Sequence, residues 1–189
     1  CGGAPTMRAL FSGTKPDGDS FSQVLFASGG MGACPHKDGM SATAFPTNVG
    51  AGSIEAYESV APIIVRRKRL RVDSGGPRTF RGGLGQEIEL ELDTDTAARL
   101  SLLSDRHDNP AGGILGGLAG GPSVITFGDG TKPHPKSRTS IQPRQSVLLL
   151  YAGGGGYGDP RKRSRESVLS DLRHGYISAA AARSIYGVE

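Results

Sequence analysis

The sequence predicts a mainly β (α+β) fold: a β-rich body with long Gly-rich loops and a C-terminal two-helix tail. Three observations predict it. Apolar residues recur in runs of strand length. The clearest run, "QEIELEL" at 86–92, alternates so that Ile88, Leu90 and Leu92 share one side and Glu87, Glu89 and Glu91 the other. The 30 glycines cluster between those runs without a three-residue period, which excludes collagen and points to a folded, loop-rich chain. After Pro160 the spacing changes, and Val168, Leu169 and Leu172 recur at helical intervals. The organisation expected is a β-rich domain over 1–152 with functional loops, then a glycine turn and helical tail over 153–189.

Strands are expected at 7–13 and 20–29, with Asp17 and Gly18 between them as a hairpin turn that accepts positive φ cheaply. The stretch 29–52 reads as a long Gly/Pro/Thr/Asn loop, and a loop of that length in a compact domain tends to be functional. Ser53 is suited to N-capping and Pro62 to termination, which predicts a short helix between them. Further strands follow at 63–74, 86–92, 98–105, 123–127 and 146–152, with Gly-rich connections at 75–85 and 106–123. The basic run "RRKRLR" at 66–71 is the expected cross-strand partner of the Glu87, Glu89, Glu91 row. In the tail, Asp159 suits an N-cap and Pro160 a first helical position; Gly175 ends one helix, and Ser178 and Gly187 bracket another.

There is no Trp, and only six Phe and five Tyr, so the core must be built from Val, Ile, Leu and Ala. The net charge is +4, concentrated at 66–71 and in "RKRSR" at 161–165. No aromatic stacking pattern or DNA-reading motif accompanies those cations, so they read as a solvated strand end and helix start, with no nucleic-acid partner. Two cysteines give no disulfide framework, no apolar run approaches a membrane span, and no leader pattern is seen; a cytoplasmic protein is expected. Cys1 opens the chain, and an N-terminal Cys can be a nucleophile with its own amine as base.

The run "YAGGGGYGDP" at 151–160 raises the question of a phosphate cradle. Such a cradle needs Lys-Ser/Thr opening a helix directly after the glycines, and here Tyr157 to Pro160 follow. The expected role of Gly153 to Gly156 is close backbone passage against a neighbouring loop. Cys34, His36 and Asp38 in one loop, His107 and Asp108 in a second and His134 in a third could supply metal ligands, but without paired CxxC or HExxH spacing they read as scattered polar loop residues, and no metal site on this chain alone is expected. A Ser74, His107, Asp105 triad lacks a nucleophile-elbow pattern. Arg78 and Arg81 lie among glycines in "DSGGPRTFRGGLG" (73–85), where open backbone N–H groups and guanidinium forks suit a carboxylate or phosphate; the equal alternative is a β-bulge and turn with Arg81 bonded to a neighbouring carbonyl.

Five segments in order, "GGMGACPHKDG", "TNVGAGSIEAYE", "RVDSGGPRTFRGGLG", "AGGGGYGDP" and the tail "RESVLSDLRHGYISAAAARSIYGV", resemble the C-terminal region of the hydantoinase B / 5-oxoprolinase family. The resemblance implies an ATP-dependent enzyme that opens cyclic amides, with ketone carboxylases as relatives and a non-catalytic scaffold subunit as the other reading. It implies a hydantoinase A-like ATP-binding subunit and the N-terminal part of the B subunit as partners, with ATP/Mg and a divalent metal in the complete complex and no cofactor on this chain alone. The site residues it implies are Asp38, Asn48 and Asp73 as catalytic groups and Arg78 and Arg81 as substrate-binding groups. Three departures stand out. The chain is short for a B-type subunit, the family's Asp-Pro-Tyr and Gly-Gly-Thr-His segment is missing, and Met31 stands where an aromatic residue is usual. A fragment, cleavage product or separately encoded subunit, inactive alone, is therefore expected.

Overall fold

The computed structural model describes residue 3, residues 7–46 and residues 49–188. Two four-stranded antiparallel sheets share one buried apolar cluster. The first sheet has the order β2 (Ser20–Ala27), β1 (Met7–Thr14), β5 (Ala98–Leu103), β7 (Arg138–Ile141). The second runs β3 (Ile63–Leu70), β4 (Gln86–Leu92), β8 (Ser146–Leu150), β6 (Val124–Phe127). Period-2 alternation puts Met7, Ala9 and Phe11 of β1, Ala98, Leu100 and Leu102 of β5, and Ile88, Leu90 and Leu92 of β4 into the shared cluster. The mainly β architecture is as predicted.

The hairpin closes where Lys15 N–H donates to Asp19 O (2.7 Å), with Gly18 at φ +93°. Helix α1 (Ile54–Val60) starts at Ser53, whose Oγ accepts from Ala56 N–H. The basic run meets the acidic row as expected. Arg66 pairs with Glu91, Arg67 with Glu87 and Glu89, and Arg69 with Glu87, at 2.6–3.0 Å. A register shift between Val65 and Arg67 lets two consecutive arginines reach the same acidic face. Strand β7 went unpredicted: its four residues, "RTSI", hold one apolar side chain, Ile141, which is fully buried.

Pairing places four loops at one end of this body. The end of β2 lies beside the start of β1 (Met7 opposite Ala27), and so does the end of β5 (Arg8 opposite Leu103). The end of β8 lies beside the starts of β4 and β6 (Leu150 opposite Glu87 and Val124). Segments 28–42, 71–85, 104–123 and 151–158 therefore emerge together.

The tail departs from expectation at its start. Asp159 accepts from Arg161 N–H, but this closes only a 3-10 turn, Pro160–Lys162. The helix proper, α2 (Arg165–Arg173), has its own cap, Ser164, and α3 (Ala179–Ser184) is capped by Ser178. Both helices form a second small apolar cluster around Val168, Ile177, Ala182, Tyr186 and Val188. Among the described residues no helix is long and apolar enough to cross a membrane.

Candidate functional site: a glycine-packed loop junction

The four loops meet on the buried run Gly153 to Gly156. A Cβ at Gly153 would lie 1.6 Å from Ser74 O, at Gly154 1.9 Å from Met31 O, and at Gly155 2.0 Å from Gly112 O. Only glycine permits this approach. Gly153 N–H donates to Gly121 O (3.0 Å) and Gly154 N–H to Gly83 O (2.9 Å). In return Gly76 N–H donates to Gly154 O and Ala33 N–H to Gly155 O, both at 2.9 Å. The run is thus a backbone junction, with these donors directed at protein carbonyls.

A buried ion network ties the tail to this junction. Asp38 accepts from Arg81 N–H (2.8 Å) and from both Nη groups of Arg163 (2.8 and 2.7 Å). Asp171 Oδ2 accepts from Arg163 Nη2 (2.8 Å) and Arg81 Nε (3.2 Å). Arg81 also donates to Gly82 O and lies over the Tyr176 ring at 5.2 Å. The side chains of Arg81, Arg163 and Asp171 are almost fully buried, while that of Asp38 is a third exposed. Burial pushes the Asp38 carboxyl upward, but the hydrogen bonds and charge of Arg163, with Arg81 behind, hold it below its ordinary value. Arg163 sits in the run read from sequence as solvated; its burial against two carboxylates corrects that reading.

Of the five site residues expected from sequence, Asp38 and Arg81 come together in this network. Asp73, at φ +57°, accepts from Ser178 N–H (2.8 Å), and its own N–H donates to Tyr176 O (3.1 Å), so it anchors the start of α3. Arg78 lies apart, fully buried beneath residues 113–117, with Nη1 donating to Ile114 O (3.0 Å). Asn48, like Cys1, lies outside the described residues. Arg163 and Asp171 were missed; the signal available was a lone acid on the apolar side of the Val168–Leu172 helix.

The other candidates separate. Ser74 donates to Arg71 O (2.6 Å) and accepts from Gly85 N–H (3.0 Å), which makes it a loop clamp. His107 bonds Ser104 Oγ instead (2.8 Å), and with His134, Asp105 and Asp108 lines a cavity of about 260 Å³. Burial lowers the His107 pKa, with Asp108 and Asp105 opposing. Among the described residues no three His, Cys, Asp or Glu side chains come together as a metal cage, so they do not by themselves fit a bound divalent metal.

A model for Hydantoinase B/oxoprolinase matches residues 2–160. The beta subunit of the caprolactamase of Pseudomonas jessenii is 34% identical over 187 residues, covering 92% of this chain and 32% of that protein. The B-type subunit of a putative D-/L-hydantoinase from a Pseudomonas species (strain NS671) is 31% identical, covering 85% and 28%. The crystal structure of the ATP-dependent caprolactamase from P. jessenii superposes with a TM-score of 0.80 at 25% identity, over 99% of this chain and 35% of that one. A nucleotide-free acetone carboxylase structure matches in fold, with a TM-score of 0.78 at 20% identity, over 96% of this chain and 29% of that one. The chain spans about a third of the length of the two Pseudomonas subunits and about a tenth of a 5-oxoprolinase from Dictyostelium discoideum.

Proposed function

Because the chain belongs to the hydantoinase B/oxoprolinase family, we propose that it is the C-terminal part or small subunit of an ATP-dependent cyclic-amide hydrolase, which completes an active site with a larger partner. The observation that carries this reading is the convergence of four loops on one end of the sandwich, in a chain 34% identical to the beta chain of a caprolactamase. The loop tips beyond the glycine junction leave large apolar side chains in water: Met40, Phe45, Ile114, Leu115 and Leu118 are each about half or more exposed. A covering polypeptide, the N-terminal part of the B subunit, accounts for that exposure. ATP, its Mg ion and the divalent metal belong to the rest of the complex, including a hydantoinase A-like subunit.

In this reading Asp38, Asp73 and Arg81 act by placement. They fix the 29–52 and 73–85 loops against the tail, and Asn48, on the first of those loops, orients the substrate amide. The test is reconstitution with the upstream B-type polypeptide and the ATP-binding subunit, followed by ATP-dependent opening of caprolactam, hydantoin and 5-oxoproline. Ring opening should require all parts. Ring opening by the chain alone overturns the reading, and ATP-dependent carboxylation of acetone in its place selects the carboxylase alternative, to which a 24% identical acetone carboxylase alpha subunit is the pointer. Asp38→Ala and Arg81→Ala should lower turnover and stability together. Asn48→Ala should lower turnover.

A further inference from the structure

Arg78 is among the largest fully buried side chains of the protein. Its Nη1 is tethered to Ile114 O, while Nε and Nη2 have no partner. Among the described residues no carboxylate lies within ion-pair distance of it. A buried guanidinium with no counter-charge is costly, and an apolar side chain of similar length would fill the same space at less cost. Burial draws its pKa down, as expected of a desolvated cation.

The unused donors are the side-on edge of the guanidinium. Nε–H and Nη2–H point the same way at a spacing that matches the two oxygens of a carboxylate. The same edge of Arg66 points at a carboxylate elsewhere in the protein, where Nε (3.1 Å) and Nη2 (2.9 Å) both donate to Oε2 of Glu91. The cover over Arg78 is a strap of glycines. A Cβ would lie 1.3 Å from the guanidinium carbon at Gly117, 1.7 Å from Nη2 at Gly113, and 1.9 Å from Cγ at Gly156. The strap turns at Leu115 (φ +54°) and Gly116 (φ +87°). Ile114 fastens it through a 3.3 Å bond to Gly156 O and a 3.1 Å bond from Gly158 N–H. Its outer residues, Ile114 and Leu115, are 56% and 69% exposed.

We propose that Arg78 is a carboxylate-binding group under a liftable glycine strap, residues 112–118, its Nε–Nη2 edge reserved for the two oxygens of a ring-opened ω-amino acid. The choice of ligand rests on the ring-opening reading above; the free edge does not. Water adding across the amide C–N bond leaves a carboxylate at one end of the product and an amine at the other, and Arg78 takes the carboxylate.

The first test is NMR on the full 189-residue chain. Added 6-aminohexanoate should move the Arg78 Nε–Hε resonance downfield and shift the amides of 113–117. Hexylamine, which lacks the carboxylate, should leave both unmoved. Arg78→Met should keep the fold and lose the response, and Arg78→Lys, which keeps the charge without the fork, should weaken binding about tenfold or more. An Hε signal unmoved by the amino acid, strap amides that respond in Arg78→Met as in the unaltered chain, or an equal shift with inorganic phosphate overturns the assignment. The second test is product inhibition of the reconstituted complex by 6-aminohexanoate. If ring opening proceeds and Arg78→Lys leaves that inhibition unchanged, the site is refuted while the hydrolase reading stands. If no ring is opened, that reading falls and the NMR experiment still decides the site.

Discussion

Asp171 holds one carboxylate oxygen between two guanidinium groups, Arg81 and Arg163, with almost no access to water. Removing its charge leaves Arg163 paired with Asp38 alone and, among the described residues, the Arg81 guanidinium with no carboxylate within ion-pair distance. Asp171→Asn should therefore destabilise the chain by about 3–5 kcal/mol, the range for breaking a buried pair, as read from chemical denaturation. Asp38 contributes a pH response. Its folded pKa lies below the ordinary 3.8, so its contribution is complete above that value and is lost as pH falls through the lower folded one. Acid unfolding profiles of Asp38→Asn should be flatter below about pH 4 than those of the unaltered chain, with about 2 kcal/mol less stability at neutral pH. Arg78 behaves oppositely. Arg78→Met should leave thermal stability equal or higher, because a desolvated charge without a counter-charge is removed at the loss of one hydrogen bond to Ile114 O.

At the scale of elements, the glycine run and the loops it binds should tolerate substitution by position. Gly154→Ala puts a methyl 1.9 Å from the carbonyl oxygen of Met31, where backbone must shift. A loss of roughly 3 kcal/mol or more is expected in denaturant melts. Gly50→Ala meets nothing within 4 Å and should be neutral or stabilising by about 0.5 kcal/mol. The strands and caps were legible because each is a local pattern: alternation in β4, Asp17-Gly18 in the hairpin, Ser53 and Ser178 before their helices. Strand β7 was not, since "RTSI" is held by its pairing with β5 rather than by its composition. The burial of Arg163 was hidden for a related reason. Five polar residues in a row look solvated until the acids that draw one of them inward, Asp38 and Asp171, are known to be 125 and eight positions away.

For the whole molecule, the tail belongs to the site as much as the loops do. The family match ends at residue 160, yet the groups that neutralise and orient Arg81 and Asp38 come from Arg163 and Asp171 beyond it. A chain cut after Pro160 should lose protection in hydrogen exchange at 38–42 and 79–83 by at least about tenfold, while the strands of the two sheets keep theirs. Equal protection in both forms would show that the loops stand without the tail. Which residues form the candidate site was legible in part. Asp38 and Arg81 were named from the loop motifs, but their meeting, and the separation of Arg78 from them, follow from strand pairing that brings distant loops to one end.

The junction on Gly153 to Gly156 is made of main chain, so it holds no titratable group and no thiol to switch it. Its partners lie far apart along the chain, Gly154 with Met31 and Gly83, Gly153 with Gly121. Each pairing closes a long stretch of polypeptide before any apolar surface is gained in return. The sheet pairings Arg8–Leu103 and Glu87–Leu150 close stretches of similar length and bring the loop bases together, so the junction is expected to form with the sheets or after them, and pulse-labelled hydrogen exchange should show Gly154 N–H protected no earlier than that of Leu90.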